Sequence, residues 1–250
     1  ALMSVVKPFL LLYLLEHHGA SFVFSQVGYL PSHAPFNSLA QLHADRGWAR
    51  NPMINSGAIV LASLLVGTDA QTRCAEFCQW LNQQSASNWA LNYTVLDSVN
   101  ALKNEVNWQI AQLLSQAGYV ADVELAIATY NHLCCLSGTI HDLAQLGLLL
   151  ATPAQEMTRQ SQQIVNQLML TCGLYEESAQ FAAEIGLPTK SGISGALLAI
   201  IPAEGAIACY SPPLNTTGNS IAGMFLLEQI ATLRSSLHRS KETLNLHPDS

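Results

Sequence analysis

The sequence contains few charged residues. Lys, Arg, Asp and Glu make up 11% of its 250 residues, whereas about a quarter is usual in soluble globular domains. Half of the residues are hydrophobic, so the chain can bury enough apolar surface to offset the entropy lost on folding. These two properties exclude an intrinsically disordered protein and predict one large core or two closely packed lobes.

Long apolar runs and clusters of one charge sign are also missing. No stretch of about 18 or more uncharged apolar residues occurs, so we expect no membrane-spanning helix. The net charge of −7 is spread along the chain, without the clustered Lys and Arg that line a nucleic-acid groove. We therefore expect a small-molecule substrate, and neither nucleic acid nor a membrane as a partner.

The cysteines lack the spacing of a metal or redox site. Cys74 and Cys78 are four residues apart, on one helical face and without a C-x-x-C pattern. No His is placed to complete a tetrahedral ligand set. We expect reduced, mostly buried thiols in a cytoplasmic protein, with no metal and no cofactor. The six cysteines are at positions 74, 78, 134, 135, 172 and 209.

The first residues combine one Lys with a short apolar run from Pro8 to Leu15, as secretory signal peptides do. Glu16-His17-His18 stands where a signal peptide has small residues for cleavage, which favours a buried helix instead. The chain opens on Ala1 rather than on an initiator Met. This start is expected of a fragment or of a chain that has lost residues upstream.

The apolar pattern is helical over most of the chain. Phe9 to Leu15 predicts a helix after Pro8 that ends at Gly19, and residues 20–50 predict a long ordered loop or a series of short turns. Amphipathic or apolar helices are further predicted at 55–66, 70–84, 98–117, 121–134, 139–151, 158–173 and 219–237.

The pattern changes to short strands near residue 180. Two antiparallel strands, 196–202 and 205–211, are predicted with a tight turn at Ala203-Glu204. We therefore expect an α+β fold in which a helical body packs on an antiparallel sheet and a C-terminal helix covers it. We expect residues 1–250 to form a single domain, with a frayed tail at 239–250.

Two short motifs contain residues that are suited to catalysis. Ser4-Val-Val-Lys7 is an S-x-x-K motif whose spacing puts the hydroxyl and the amine on one helical face. A buried Lys loses its proton more readily because desolvation disfavours the ammonium, and the neutral amine can act as a general base for the serine. An N-cap Ser followed by a solvated Lys is the alternative interpretation, and this motif alone does not separate the two.

The second motif is Lys190-Ser191-Gly192, immediately before an apolar strand. It resembles the K-[TS]-G strand that faces the S-x-x-K serine in penicillin-binding proteins and serine β-lactamases. In those proteins a backbone N–H of the strand joins the N–H of the nucleophile in binding the developing oxyanion.

More specific motifs lie around these two. They are Val27-Gly28, Phe36-Asn37-Ser38, Arg50-Asn-Pro-Met-Ile-Asn-Ser-Gly-Ala-Ile59, Cys172-Gly-Leu-Tyr175, Gly186-Leu-Pro-Thr-Lys-Ser-Gly192 and Tyr210-Ser-Pro-Pro-Leu-Asn-Thr-Thr-Gly-Asn-Ser220. In this order, from Ser4 to about Leu237, the sequence resembles the glutaminases of the β-lactamase-like superfamily. The resemblance implies a β-lactamase-like fold, hydrolysis of L-glutamine to L-glutamate and ammonia through a serine acyl-enzyme, and assembly into a homo-oligomer.

The resemblance also implies catalytic roles for individual residues. Ser4 would attack the side-chain amide of glutamine and Lys7 would take its proton. Tyr175 would relay a proton to the leaving nitrogen or back to the serine. The backbone N–H of Ile193 would form the oxyanion hole with that of Ser4.

Further residues are implied to hold the amino-acid backbone of glutamine. Asn55, Asn107 and Tyr130 match the family's polar contacts. The family has a Glu seven residues before Asn107, facing the substrate ammonium, and this sequence has Asn100 there. Loss of that charge-assisted hydrogen bond costs about 1.5–3 kcal/mol of binding, unless a shifted register brings Glu105 to the same place.

The family also has a subregion before the S-x-x-K helix that supplies the first strands of the sheet and another active-site tyrosine. This sequence does not contain it, so we expect the first strands to be missing and activity to be impaired. Two alternatives therefore stay open. One is a truncated or degenerate homologue without catalysis, and the other is an acyl-transfer enzyme acting on β-lactams or peptidoglycan, which S-x-x-K and K-S-G alone also fit.

Overall fold

The computed structural model describes residues 1–152 and 157–245. The helices are α1 (Lys7–Gln26), α2 (Leu39–Ala44), α3 (Asn55–Ser63), α4 (Ala70–Ser85), α5 (Tyr93–Ala101), α6 (Glu105–Gln116), α7 (Val123–Cys134), α8 (Ile140–Ala151), α9 (Arg159–Cys172), α10 (Ser178–Glu184) and α11 (Ile221–Asn245). The strands are β1 (Ala90–Leu91), β2 (Leu136–Ser137), β3 (Thr189–Ser191), β4 (Ala196–Ile201) and β5 (Gly205–Tyr210).

The three longer strands form an antiparallel sheet in the order β3, β4, β5. Ser191 of β3 lies opposite Leu197 of β4, and the other side of β4 pairs with β5 from Ala196 with Tyr210 onwards. The predicted hairpin is thus confirmed, and Ala203 in its turn has φ 65. The two-residue strands β1 and β2, which were not predicted, pair with each other.

Helices cover both faces of this sheet. On one face α8 contacts β4 and β5, and Gly147 allows a close approach, because a Cβ there would lie 2.3 Å from the Cβ of Ala206. On the other face Leu227 of α11 packs with Leu197 and Ala199 of β4, and all three are fully buried. The expected α+β architecture, with a helical body on the sheet and a C-terminal covering helix, is confirmed.

The first run of helix ends at Gly19 as predicted, but the prediction of a loop or turns directly after it is wrong. Gly19 has non-helical angles (φ 76, ψ 159) and puts a kink in α1, and a second helical stretch follows it up to Gln26. The resumed turns bury Val23 completely, so tertiary packing stabilises helix beyond the glycine. Residues 20–50 therefore contain helical structure, including α2, as well as turns.

The single helix predicted over 98–117 is also wrong. It is divided into α5 and α6 by Lys103, which adopts the left-handed region with φ 40. Asn104 then caps α6, its Oδ1 accepting a hydrogen bond from the N–H of Asn107 at 3.1 Å. The apolar period continues across the break, which is why the sequence pattern does not reveal it.

At the end of the chain, α11 continues to Asn245, so the expected frayed tail at 239–250 overlaps this helix, and residues 246–250 lie outside the described residues. In residues 1–152 and 157–245, no helix combines the length and hydropathy needed to cross a bilayer.

Candidate active site

Ser4 and Lys7 lie where a short 3-10 helix, Met3–Val6, runs into α1. Met3 has φ 47, an uncommon conformation for a residue with a side chain, so the chain turns sharply just before Ser4. The N–H of Lys7 donates to the carbonyl of Ser4. Ser4 is 7% exposed and Lys7 is completely buried, which puts the hydroxyl and the amine one turn apart inside the protein.

The amine of Lys7 has neutral hydrogen-bond partners. Its Nζ donates to Asn55 Oδ1 at 2.8 Å and to the carbonyl of Met53 at 3.1 Å. Burial lowers the pKa of Lys7 to about 8, against a smaller opposing effect of Cys134. A neutral amine has two N–H groups and one lone pair. Because the two acceptors can take both N–H groups, the lone pair remains for a proton.

Asn55, at the start of α3, joins the predicted substrate residues to Lys7. Its Oδ1 also accepts a hydrogen bond from the Tyr130 hydroxyl at 3.2 Å, and its Nδ2 donates to Asn107 Oδ1 at 2.9 Å. Asn55, Asn107 and Tyr130 come from α3, α6 and α7 and are each at least nine-tenths buried. The structure therefore brings these three predicted residues and Lys7 into one hydrogen-bonded cluster.

Tyr175 begins a 3-10 helix, Tyr175–Glu177, and has φ 57. Its hydroxyl donates to the carbonyl of Ser191 at 3.3 Å. Burial raises the pKa of the phenol, while hydrogen bonding to Ser4 and Ser191 acts in the opposite direction. The phenol therefore stays protonated near neutral pH, next to the Ser4 hydroxyl.

The end of β3 approaches the backbone of Ser4. A Cβ at Gly192 would lie 2.8 Å from the carbonyl oxygen of Leu2 and 3.4 Å from the nitrogen of Ser4, so a glycine is needed here. The next residue, Ile193, has a side chain that is 55% exposed. In the described part of the chain, neither the N–H of Ser4 nor that of Ile193 donates a hydrogen bond. Both remain available to an oxyanion.

Asn100 lies apart from this cluster, exposed on α5. Its Oδ1 accepts a hydrogen bond from Asn131 Nδ2 at 3.1 Å. A cavity of about 510 Å³ is lined by Asn100 and also by Asn107, Glu105 and Glu124. The structure thus places Asn100 and Glu105 along one cavity that reaches the Asn55 cluster, without a hydrogen bond from either to that cluster.

The K-S-G motif contains a residue to which the sequence assigned no role of its own. Lys190 is completely buried, and its Nζ donates to the carbonyls of Gly173 at 2.9 Å and Ser191 at 2.7 Å. The Nζ lies 4.4 Å from the ring centroid of Tyr175. Burial holds the pKa of Lys190 well below its ordinary value, and the charge of Lys7 adds to this effect.

Cys134 is a second residue that sequence reasoning did not place in the site. It is buried, and burial raises its pKa to about 11 although Lys7 and Tyr130 act to lower it. Its spacing in Tyr130-x-x-x-Cys134 was the available signal. All six cysteines are free, and no three His, Cys, Asp or Glu side chains converge as metal ligands in the described ranges.

Known proteins share this sequence and fold. The family model described as Glutaminase matches residues 1–238. A glutaminase of Synechocystis sp. is 47% identical over 237 residues, which cover 94% of this chain and 72% of that protein. Glutaminase 2 of Escherichia coli K12 is 34% identical over 92% of this chain and 77% of its own length.

Solved structures agree with these relatives. The crystal structure of a probable glutaminase from Bacillus subtilis superposes with a TM-score of 0.88 at 28% identity, covering 92% of this chain and 80% of that one. A second structure, a covalent complex between a Bacillus subtilis glutaminase and 5-oxo-L-norleucine, has a TM-score of 0.82 at 25% identity, covering 94% and 80%. From the family model and these relatives, we conclude that this chain belongs to the glutaminase family.

Proposed function

We propose that this glutaminase hydrolyses L-glutamine to L-glutamate and ammonia through an acyl-enzyme on Ser4. The hydroxyl of Ser4 attacks the side-chain amide carbon while Lys7 takes the hydroxyl proton. The C–N bond then breaks, ammonia leaves with a returned proton, and water hydrolyses the ester to release glutamate and regenerate Ser4. The observation that carries this proposal is the fully buried Lys7, whose pKa is lowered to about 8 and whose N–H groups face Met53 and Asn55.

The oxyanion of the tetrahedral intermediate is held by two backbone N–H groups, those of Ser4 and Ile193. Support comes from the approach of Gly192 to the Ser4 nitrogen and from the free state of both N–H groups in the described part of the chain. Such donors stabilise charge that develops only in the transition state. The role of Ile193 needs no side chain, which is consistent with its exposure.

Tyr175 relays the proton between Lys7, the leaving nitrogen and the returning serine. Its phenol is buried and protonated near neutral pH, and it is close enough to the Ser4 hydroxyl for a hydrogen bond that lowers the pKa of the phenol. A neutral phenol can donate to the leaving nitrogen and accept from the amine in the same step.

Asn55, Asn107 and Tyr130 bind the amino-acid backbone of the substrate, and Asn100 faces its ammonium from the adjoining cavity. The hydrogen bonds among the first three fix their orientation before a ligand arrives, which lowers the entropy cost of binding. Glu105, Glu124 and Lys103 line the same cavity as Asn100, so two carboxylates and one ammonium leave the lining with one net negative charge to face the substrate ammonium.

The covalent complex of the Bacillus subtilis relative supports an acyl-enzyme route here. That complex was formed by reaction of the relative with 6-diazo-5-oxo-L-norleucine, which indicates a nucleophile in a glutaminase of the same fold. In this chain, Ser4 is the candidate nucleophile, one helical turn from Lys7, whose amine has a low pKa.

Location, assembly and domain organisation are further parts of this proposal. Six free cysteines, most of them buried, favour a reducing cytoplasm. Helix α11 exposes Ile221, Phe225 and Leu233 by 54%, 62% and 63%, which favours a homo-oligomer that covers this helix. The match of one family model over residues 1–238 supports a single glutaminase-like domain.

The experiment is ammonia release from L-glutamine by wild type, Ser4→Ala and the control Ser25→Ala, whose hydroxyl is exposed on α1. We expect Ser4→Ala to lose at least about 10³-fold in kcat, as other nucleophile deletions do, and Ser25→Ala to keep wild-type activity. A folded wild type without turnover would overturn the proposal. Labelling of Ser4 by a penicillin probe, with no reaction on glutamine, would favour acyl transfer on β-lactams.

A further inference from the structure

Glu177 is a carboxylate held by three neutral side chains close to Tyr175. Its Oε1 accepts hydrogen bonds from Asn215 Nδ2 and Thr217 Oγ1, both at 2.8 Å, and its Oε2 accepts from Asn219 Nδ2 at 2.7 Å. Glu177 belongs to the same 3-10 helix as Tyr175, at its other end. One half-buried carboxylate therefore ties the Tyr175 helix to the loop that contains residues 215–219.

The negative charge of Glu177 sets the orientation of Asn219. An ionised carboxylate only accepts hydrogen bonds, so the amide nitrogen of Asn219 must face it and the amide oxygen must face the other way. Asn219 Oδ1 accepts a hydrogen bond from the hydroxyl of Ser191 at 2.5 Å. Asn219 and Ser191 are both completely buried, so neither can exchange its partner for water.

Ser191 also forms a hydrogen bond with Tyr175. The carbonyl of Ser191 accepts the Tyr175 hydroxyl at 3.3 Å and Lys190 Nζ at 2.7 Å. These hydrogen bonds therefore connect the Tyr175 hydroxyl through Ser191 and Asn219 to Glu177. Because Glu177 follows Tyr175 by two residues, the connections form a closed circuit. Because Tyr175 has φ 57, a conformation that costs energy for a residue with a side chain, surrounding contacts must hold it in place.

From this circuit we infer that Glu177 and Asn219 are positioning residues, which hold Ser191 so that the Tyr175 phenol and the Ile193 N–H meet the reacting atoms. The inference rests on the proposed roles of Tyr175 and Ile193. Ser191 connects Tyr175 with Ile193. Its carbonyl accepts the hydrogen bond of the Tyr175 phenol, and the backbone continues from it through Gly192 to Ile193.

The test is steady-state kinetics on L-glutamine with Glu177→Gln. The Gln side chain offers one acceptor and one donor end, so it cannot serve both Asn219 and the Asn215 and Thr217 donors. Because small misplacements of catalytic groups cost up to about a hundredfold, we expect kcat to fall about ten- to hundredfold. The KM should change by less than about threefold, since Asn55, Asn107 and Tyr130 lie outside the circuit.

The matched control is Glu184→Gln on α10, where the carboxylate is exposed and accepts a hydrogen bond from the nearby Gln180. It removes the same charge and is expected to leave kcat unchanged. Thermal unfolding of each variant is measured alongside. Should Glu177→Gln not fold, Asn219→Asp replaces it, because it puts a second carboxylate against Glu177 in an isosteric side chain.

Two readouts separate positioning from a general loss of stability. In a Tyr175→Phe background, Glu177→Gln should lower kcat by a smaller factor than in wild type, whereas general destabilisation would lower both equally. A crystal structure of the Glu177→Gln protein should show the Tyr175 hydroxyl and the Ser191 carbonyl moved apart. An unmoved contact, or an unchanged kcat in an active wild type, would overturn the inference. The crystallographic result does not depend on turnover, so it is distinguishable from failure of the proposed function.

Discussion

Lys7 Nζ donates a hydrogen bond to Asn55 Oδ1 over 2.8 Å, across 48 positions of sequence. The acceptor is a neutral amide in a site where a carboxylate of nearly the same shape would fit. A carboxylate would stabilise the ammonium and remove the base. The choice of Asn at position 55 therefore protects the low pKa of Lys7, and it does so with the same side chain that orients Asn107 and Tyr130.

We predict that Asn55→Asp moves the acid limb of the kcat/KM pH profile upward. A carboxylate at this distance raises the pKa of Lys7 by at least about one unit, so kcat/KM at pH 7 falls at least about tenfold. The measurement is the pH dependence of ammonia release. Gln163→Glu, which adds the same charge on an exposed part of α9, should leave the profile in place. A profile that stays in place for Asn55→Asp would mean that Lys7 does not set this limb.

Lys7→Met is predicted to lose activity and to change how stability depends on pH. Burial lowers the pKa of Lys7 to about 8 in the folded protein, whereas its ordinary value of 10.5 applies in the unfolded chain. Between these two pH values the unfolded state therefore binds more protons than the folded state. The cost of burying Lys7 is thus fully present below pH 8 and disappears as the pH rises toward 10.5. Relative to Lys7→Met, the free energy of unfolding of wild type should rise by on the order of 3 kcal/mol across this window.

Urea unfolding at several pH values measures this difference. Lys190, which is also buried, is present in both proteins, so the effect of its burial cancels and only the effect of the Lys7 charge on its pKa differs between them. A difference between the two proteins that does not vary between pH 8 and 10.5 would show that Lys7 has an ordinary pKa in the folded state.

Gly192→Ala should impair catalysis more than folding. The new methyl group meets the Leu2 carbonyl at 2.8 Å and pushes the end of β3 away from the Ser4 nitrogen. Because this separates the two oxyanion donors, we expect kcat to fall about ten- to hundredfold. Gly205→Ala, with nothing within 4 Å of the added Cβ, should keep wild-type kcat. Equal kcat in the two variants would argue against an oxyanion hole at Ile193.

Asn100→Glu is predicted to lower the KM for L-glutamine. The carboxylate can keep the hydrogen bond from Asn131 and add a charge-assisted contact to the substrate ammonium, worth about tenfold in affinity. Gln79→Glu, which adds the same charge at an exposed position of α4, serves as the control and should leave KM unchanged. An unchanged or higher KM for Asn100→Glu would place the ammonium elsewhere.

Local patterns predicted the fold class and most helices because helical periodicity and turn residues act over a few positions. The break between α5 and α6 escaped prediction because the apolar period runs through it. The helical stretch after Gly19 was not predicted because the burial of Val23, a tertiary effect, outweighs the local signal of the turn-forming residues in 20–50.

The sequence by itself determined the chemistry that is available: a Ser and a Lys three residues apart, a K-S-G segment, and the motifs by which the family is recognised. Only the tertiary structure decided how these groups act. It buries Lys7 without a carboxylate, which lowers its pKa, and it brings Asn107 and Tyr130 to Asn55 from 52 and 75 positions away. Desolvation and hydrogen bonding depend on distance in space, so a pattern in one dimension can name these residues but cannot set their protonation or their geometry.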